Sequence, residues 1–325
     1  MKKIDYSPYI LKRVGVNSAR VGALIRIEWD EGIGYADLHP WPEFGDSYLK
    51  GQLTGLSEYL SEYLKTGQET ELSKLQEKTI YFARQDALAR SQNKSLFEGL
   101  EIPKSHCLIT REDEVSEESL AEISKAGFKT IKVKVGGEPL MAAISITELA
   151  GMATQKLRLD MNALWSASDF KFFADKIPSE YKARIEFIED PFHSAQDHWS
   201  LLSKTYNFSF ARDFEFGDAY AVRIIKPAVQ KTIETADSEG AEVKFVVTSY
   251  LDHPLGQVAA AFEAAQLKKK FGDRVLECGL LSQDVYEPNE FSKHLKIQNG
   301  RFEKLKGYGF GFDEILKTQR WQSVR

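Results

Sequence analysis

The alternation of apolar and polar residues changes along the chain and divides it into two parts. Apolar and polar residues alternate over 20–30, and after Gly32 a shorter run with the same alternation returns at 33–36. Two such runs separated by glycine predict an antiparallel meander. Three helical patterns come next, at 53–64, 72–78 and 80–91. Strands followed by helices in this order predict an α+β domain over 1–100.

From about residue 105 the pattern becomes one of short apolar strands separated by stretches long enough for a helix. Seven strands are predicted, at 105–109, 130–135, 156–162, 184–190, 209–213, 221–226 and 244–249. Such alternation implies parallel strands joined by crossover helices. From Lys134 to Asp160 is 26 residues, a further 29 lead to Glu189 and 24 more to Asp213, about one strand and helix each. Lys226 comes only 13 residues later, so one helix is short or missing there.

Together the two patterns predict an α/β fold, a (β/α)7β-type modified TIM barrel over 101–292 with an α+β capping domain over 1–100. The length agrees, because 325 residues suit a barrel of about 200 to 250 residues plus a smaller domain. The tail from about 293 onward is punctuated by Gly307, Gly309 and Gly311. We expect this tail to pack back on the cap and complete it.

Composition narrows the possible classes of function. Hydrophobic residues make up 42% of the chain and charged residues 28%, close to globular averages, so disorder is not indicated. The longest apolar stretch, around 244–247, is far shorter than the roughly 18 residues of a membrane span. A net charge of -5 without a long basic stretch argues against nucleic acid as a partner. We expect neither a membrane nor a nucleic-acid partner, and the sequence leaves the oligomeric state open.

Two further features bear on the compartment. Polar residues interrupt 6–15, where a signal peptide needs an apolar run, so we do not expect export. Cys107 and Cys278, the only cysteines, stand among apolar neighbours. We expect buried thiols in a reducing cytosol, not a disulfide. The sequence therefore predicts a cytoplasmic protein.

Two lysines stand out on the second predicted barrel strand. In 130–135 the period of two directs Lys132 and Lys134 to one face and the apolar residues to the other. On an exposed strand this pattern is ordinary solvated alternation. In a parallel barrel, however, the active site lies at the carboxyl ends of the strands, which favours a functional role for both ammonium groups.

A carboxylate residue lies at the end of each of the next three strands. Asp160, Glu189 and Asp213 each end a strand, and each alone could be a helix N-cap. On one barrel rim their mutual repulsion needs a cation to offset it. Oxygen ligands favour Mg²⁺, with Mn²⁺ as a substitute. Zinc is less expected, because His193 and His198 follow the strand end at a spacing that suggests a surface role.

Lys226 ends the sixth strand and adds a third ammonium group to the same rim. Lys134 and Lys226 are expected to face each other across the barrel mouth. A dication and a second ammonium lower a lysine pKa, as a general base near neutral pH requires. We expect the metal to hold a substrate carboxylate while a lysine removes the neighbouring proton, giving an enediolate.

These residues resemble those of the enolase superfamily, whose members use a Lys or His base with Mg²⁺ on an enediolate. Lys132-Val-Lys134 is similar to the superfamily's Lys-x-Lys on the second strand, and Lys226 to its opposing lysine on the sixth. The resemblance implies that three residues are metal ligands, namely Asp160, Glu189 and Asp213. The combination is characteristic of the muconate-lactonising subgroup.

Within that subgroup the chain resembles the o-succinylbenzoate synthase family, which dehydrates a cyclohexadiene carboxylate in menaquinone biosynthesis. The resemblance implies a Mg²⁺-dependent lyase whose partner is a small-molecule carboxylate substrate. Ser249 and Gly256 resemble a substrate-carboxylate loop after the seventh strand, and Trp41 lies in a stretch, 34–44, that resembles the mobile cap loop. Two further residues, Arg158 and Asn162, are expected to orient ligands or substrate.

Several alternatives remain. No Asp-x-Asp pair follows the seventh strand, where dipeptide epimerases carry one, so dipeptide epimerisation is disfavoured. N-succinylamino acid racemisation stays open, since it uses the same two lysines, and muconate cycloisomerisation is a more distant option. A binding protein that kept the barrel and lost the chemistry is disfavoured by the intact set of lysines and carboxylates.

Overall fold

The chain begins with an antiparallel sheet in the computed structural model, which describes residues 1–110, 115–193, 198–282 and 285–324. The meander consists of β1 (Lys3–Lys12), β2 (Ala19–Glu28) and β3 (Ile33–Leu38). The alternation over 20–30 thus predicted β2 correctly, and the run at 33–36 predicted β3. It missed β1, where exposed and buried positions do not alternate strictly.

Two helices follow the meander, α1 (Leu49–Thr66) and α2 (Lys74–Ser91). The prediction of separate helices over 72–78 and 80–91 was wrong. Thr79, at the apparent boundary, donates its hydroxyl to the carbonyl of Leu75 at 2.9 Å, so its polar side chain is satisfied inside one helix. Ser73 starts this helix with a capping box to Gln76.

The second part of the chain forms a parallel sheet in which each strand pairs with the next in sequence. Its strands are β4 (Cys107–Ile109), β5 (Thr130–Lys134), β6 (Lys156–Asp160), β7 (Ile185–Glu189), β8 (Phe210–Arg212), β9 (Val222–Ile225) and β10 (Lys244–Val247). The helices are α3 (Glu117–Lys125), α4 (Pro139–Met152), α5 (Ala167–Lys176), α6 (Ser179–Lys182), α7 (His198–Tyr206), α8 (Thr232–Asp237) and α9 (Pro254–Phe271). No helix lies within 213–221, all of which the structure describes, as the short spacing before Lys226 predicted.

An eighth segment closes this sheet. The Leu276 and Gly279 amides donate to the carbonyls of Phe245 and Val247 at 2.9 and 2.8 Å. On the other side, the amide of Cys278 donates to Lys104 O at 2.7 Å, and that of His106 donates to Cys278 O at 2.8 Å. Residues 275–279 therefore run between β10 and β4, which confirms the (β/α)7β barrel.

The tail returns to the first part of the chain. It contains β11 (Ile297–Gln298), β12 (Arg301–Phe302), α10 (Asp313–Thr318) and β13 (Gln322–Ser323). β13 pairs with β1, and the amide of Phe310 donates to Asp86 of α2 at 2.7 Å. One apolar core joins the meander, α2, α9 and the tail, with Leu38, Phe82, Leu255 and Phe310 among its members. Because α9 directly follows β10, this core holds the cap against the carboxyl end of the barrel.

The described residues contain neither a membrane-spanning helix nor a disulfide. Among the described residues, no helix is long and apolar enough to cross a membrane. Neither cysteine forms a disulfide there; Cys278 is buried, while Cys107 is only half-buried.

Candidate active site

The parallel register brings the predicted residues to one rim of the barrel. Lys134 pairs with Asp160 across β5 and β6, and Asp160 pairs with Glu189 across β6 and β7. Asp213 follows β8 and Lys226 follows β9 directly. Strand ends of a barrel lie next to one another, so residues far apart in sequence become neighbours.

Lys132 is the most buried of the three lysines and is fully engaged by carboxylates. Its Nζ donates to the two carboxylate oxygens of Glu189 at 2.8 and 2.7 Å, and lies 3.0 Å from Oδ2 of Asp160. The side chain is 10% exposed. Lys132 therefore joins two carboxylates and presents little of its charge to a ligand.

Lys134 and Lys226 are the accessible lysines. Lys134 is 39% exposed along its side chain, and its Nζ lies 3.8 Å from Oδ2 of Asp160. Lys226 is 24% exposed and donates to Asp213. Both line the same pocket. Two ammonium groups are thus available to one bound molecule.

Oxygen atoms that could hold a metal converge beside the lysines. Among the described residues, carboxylate oxygens of Glu189, Asp190 and Asp213 lie within 4.8 Å of one another. Asp190 accepts from the amides of Asp213 and Phe214 at 3.2 and 3.3 Å, so it also holds the segment after β8. Its φ of 43° is a left-handed conformation that Asp tolerates better than most residues. This all-oxygen donor set suits a hard divalent cation.

The electrostatics of the rim agree with such a cation. Burial, and then the charge of Asp160, raises the pKa of Glu189 to about 7. Burial and the charge of Glu189 raise the pKa of Asp190 to about 8. At Asp160 burial is outweighed by the charges of Lys132 and Lys134, which lower its pKa. Carboxylates that repel each other in this way are relieved by a bound dication.

The cap covers the pocket with aromatic side chains. Trp41 and Phe44 line it, and Trp41 donates from Nε1 to the carbonyl of Tyr250 at 2.7 Å, which fastens the cap to the loop after β10. The Arg20 guanidinium lies 3.8 Å from the Trp41 ring centroid. The expectation that 34–44 is a loop was wrong in part, because its first five residues belong to β3, held by pairing with β2.

The other predicted substrate-binding residues divide into two groups. Asn162 and Ser249 line the pocket, and the Ser249 hydroxyl lies 3.0 Å from that of Ser282. Arg158 does not line it; its guanidinium is buried against Glu186. Gly256 lies outside it too, in the first turn of α9. Neither residue therefore reaches this pocket directly, and a role of Arg158 or Gly256 in binding substrate stays a prediction.

Comparison with known proteins decides the family. Residues 4–89 match the family described as O-succinylbenzoate synthase, N-terminal domain, and residues 114–211 match Enolase C-terminal domain-like. The o-succinylbenzoate synthase of Bdellovibrio bacteriovorus is 35% identical over 342 residues, which cover 100% of this chain and 99% of that protein. The chain belongs to the o-succinylbenzoate synthase family of the enolase superfamily. A further relative, the o-succinylbenzoate synthase of Klebsiella pneumoniae, is 25% identical over 284 residues, 83% of this chain and 86% of that one.

Solved structures agree on the fold of this family. A dipeptide epimerase from Cytophaga hutchinsonii, complexed with Mg and a dipeptide, has a TM-score of 0.75 at 18% identity and covers 100% of this chain and 99% of its own. A muconate lactonizing enzyme from Mucobacterium smegmatis has a TM-score of 0.77 at 18% identity, with 98% and 100% covered. Family membership makes the protein a lyase-type enzyme that uses a divalent metal and a small-molecule substrate.

Sequence reasoning missed several residues that lie in or beside this pocket. Asp190 was visible as the second carboxylate of Glu189-Asp-Pro, but only geometry shows its oxygen near those of Glu189 and Asp213. His106 was visible as a histidine in an apolar strand. Tyr250 and Ser282 carried no signal, because their place in the pocket depends on how distant loops fold.

Proposed function

We propose that the protein is an o-succinylbenzoate synthase, which dehydrates a succinyl-bearing cyclohexadiene carboxylate in menaquinone biosynthesis. The observation that carries the proposal is that Lys134, Lys226 and the strand-end carboxylates line one capped pocket. The full-length similarity to the enzyme of Bdellovibrio bacteriovorus supports the choice of reaction. We expect the protein to be cytoplasmic.

Lys134 is the proposed base. It removes the proton from the carbon next to the substrate carboxylate, which yields an enediolate. Lys134, now protonated, then gives this proton to the departing β-hydroxyl on the same face. Water leaves and the ring becomes aromatic. Its accessible side chain supports this role over Lys132, whose Nζ is held by Glu189 and Asp160.

Lys226 stays protonated and stabilises the enediolate from the opposite side. The ion pair with Asp213 supports this. Burial lowers the pKa of Lys226, but the charge and hydrogen bond of Asp213, together with the charge of Glu189, raise it overall. Stabilising groups of this kind contribute a few kcal/mol, or roughly 10² to 10³ in rate.

The metal that we propose is Mg²⁺, with Mn²⁺ as a substitute. Asp160, Glu189 and Asp213 are its proposed ligands, and a carboxylate oxygen of Asp190 lies within 4.8 Å of those of Glu189 and Asp213. When bound, the cation neutralises negative charge that develops on the substrate carboxylate. Lys132 positions two of these ligands by pairing with both.

The remaining roles follow from position. Trp41 closes the pocket and excludes water, while Ser249 and Asn162 contact the substrate. Arg158 acts through the residues that it holds and not by direct contact. We also propose that the catalytic barrel spans 101–292 and that the cap consists of 1–100 completed by 293–325.

A second candidate is N-succinylamino acid racemisation. It is favoured by one observation, the presence of both Lys134 and Lys226 in the pocket, since racemisation requires a proton-transfer group on each face. In this reaction Lys226 itself must exchange a proton, whereas dehydration requires only its charge.

One assay separates these proposals. The purified enzyme with Mg²⁺ receives the cyclohexadiene substrate and, in parallel, an N-succinylamino acid of one configuration. We expect the aromatic product from the first and little or no racemised product from the second. Lys134→Ala serves as the inactive control. Racemisation without dehydration would overturn the proposed function in favour of the second candidate.

A further inference from the structure

The active-site pocket is small and opens beside a larger cavity. The pocket around the lysines has a volume of about 100 Å³, while the neighbouring cavity has about 920 Å³. Sites for drug-sized ligands usually measure about 300 to 1,000 Å³. The two spaces share four lining residues, His106, Leu108, Leu281 and Ser282. A substrate with a side chain must therefore pass from the pocket into the larger cavity at these residues.

His106 is the only one of the four with an aromatic N–H donor, and its ring is held in one orientation. Its Nδ1 lies 3.0 Å from NH1 of Arg158. A guanidinium can only donate, so Nδ1 accepts and the proton of the neutral ring is on Nε2. Burial, and then the Arg158 charge, holds the pKa of His106 well below its usual range, so the ring is neutral.

Arg158 is itself fixed, which makes the orientation of the ring secure. Its Nε donates to Glu186 at 2.7 Å and its NH1 donates to the carbonyl of Glu277 at 2.6 Å. The side chain is 1% exposed. A guanidinium fixed in this way keeps Nδ1 of the imidazole as an acceptor. Partner groups set the tautomer of metal-bound histidines in the same way.

His106 is 4% exposed and lines both spaces, with its Nε2 and Cε1 edge beside Gly279. A Cβ at Gly279 would lie 2.9 Å from Nε2 and Cε1 of His106, so glycine gives this edge its room. Within the described residues, the imidazole has a hydrogen bond only to Arg158. The Nε2–H therefore remains available at the junction of the two spaces.

We propose that His106 binds substrate by donating a hydrogen bond from Nε2 to a carbonyl or carboxylate oxygen of the side chain remote from the metal. This inference rests on the proposed function and deepens it. Arg13 and Lys125 line the larger cavity further along and match the negative charge at the end of a succinyl chain. The side chain is thus recognised by hydrogen bonding and charge, while the ring carboxylate is held at the strand ends.

The test compares two ligands and two variants of the Mg²⁺-loaded enzyme. The product o-succinylbenzoate carries the side chain, and benzoate lacks it. His106→Leu removes the donor, whereas His106→Gln can present an amide N–H close to the position of Nε2. Dissociation constants come from titration calorimetry, and a thermal melt of each variant reports folding.

We expect His106→Leu to weaken o-succinylbenzoate binding about 10-fold, the typical effect of one hydrogen bond, and to leave benzoate within about 2-fold. His106→Gln should recover most of the loss. Equal weakening of both ligands, no weakening, or no recovery by glutamine would overturn the inference while the wild-type activity stands. A wild-type enzyme that neither binds nor forms o-succinylbenzoate would remove the proposed function first, and this inference with it.

Discussion

Two groups of buried carboxylates differ in how their charge is balanced. At the barrel rim, Asp160 and Glu189 share the ammonium of Lys132. Between cap and barrel, Asp37 of β3 faces Asp252 of the loop after β10, and the described residues offer them only neutral hydrogen-bond donors. Asp37 accepts from the Tyr9 hydroxyl at 2.6 Å and from the His253 amide at 3.1 Å.

The consequence is opposite behaviour of similar side chains. Cations hold the pKa of Asp160 below its usual value. Burial raises the pKa of Asp37 to about 7 and that of Asp252 well above its usual range. The lysines thus keep Asp160 charged, whereas the pair at the cap keeps a proton and holds the cap in place. Glu189, whose pKa is also raised, needs a bound dication to keep its charge.

Metal removal should have the largest effect on the rim. Chelation by EDTA is expected to abolish activity, and Mg²⁺ or Mn²⁺ should restore it, because the carboxylates alone repel a substrate carboxylate. Activity that survived exhaustive chelation would show that the rim carboxylates do not act through a bound metal. The melting temperature measured in parallel shows whether chelation unfolds the protein instead.

Single substitutions can identify which carboxylates bind the metal. Asp160→Asn, Glu189→Gln and Asp213→Asn should each weaken Mg²⁺ binding by about 100-fold or more. Asp190→Asn should weaken it by about 10-fold if Asp190 only supports the ligands, in line with outer residues of metal sites. Calorimetric titration of Mg²⁺ measures both. An Asp190 effect as large as that of Asp160 would make Asp190 a ligand in its own right.

The cap should tune binding more than chemistry. Trp41→Ala removes an aromatic wall and the hydrogen bond to Tyr250. We expect KM to rise by about 10-fold and kcat to change less, since such loops select shape and exclude water. Trp41→Phe is the control, because it keeps an aromatic ring and lacks the hydrogen bond to Tyr250. Steady-state kinetics of both variants separates the effect of the aromatic wall from that of the hydrogen bond. An unchanged KM would move specificity to the loop after β10.

The smallest expected effect concerns the proton at the cap. The native pair binds its proton more tightly than the unfolded chain, whose Asp titrates near pH 4. Its stabilisation is therefore complete below about pH 4 and is lost as the pH rises through about 7. We define the difference in melting temperature as that of Asp37→Asn minus that of wild type. This difference should be about 3 to 5 °C larger at pH 8 than at pH 5. A constant difference would show that the pair does not titrate.

Gly256 illustrates why the two regions were hard to tell apart in sequence. The resemblance assigned it to a substrate loop, yet a Cβ there would lie 2.5 Å from Asp252 Oδ2 and 2.7 Å from Asp37 Oδ2. Glycine is required by this close approach. Gly256→Ala should lower the melting temperature and leave the activity per folded molecule near wild type.

The strands and the rim residues could be predicted from sequence because both depend on local rules. Period-two alternation marks β5 and β6, and strand ends of a barrel share a rim, so Lys134, Asp160 and Lys226 were found together. Contacts between distant segments follow no such rule. Arg158 lies two residues before Asp160 on the same face of β6, but its guanidinium is held by Glu186 and does not itself line the pocket. Asp37 and Asp252 meet only because the cap docks on α9.

Lys134 is the proposed base, and Lys226 is proposed to act through its charge. The direct measurement is the dehydration rate of Lys134→Ala and Lys226→Arg, with proton exchange in D₂O followed by NMR. Lys134→Ala should lose both dehydration and exchange, because the group that removes the proton is gone. Lys226→Arg should keep part of the dehydration, since its positive charge remains. Wild-type dehydration by Lys134→Ala, or normal racemisation by Lys226→Arg, would contradict the account.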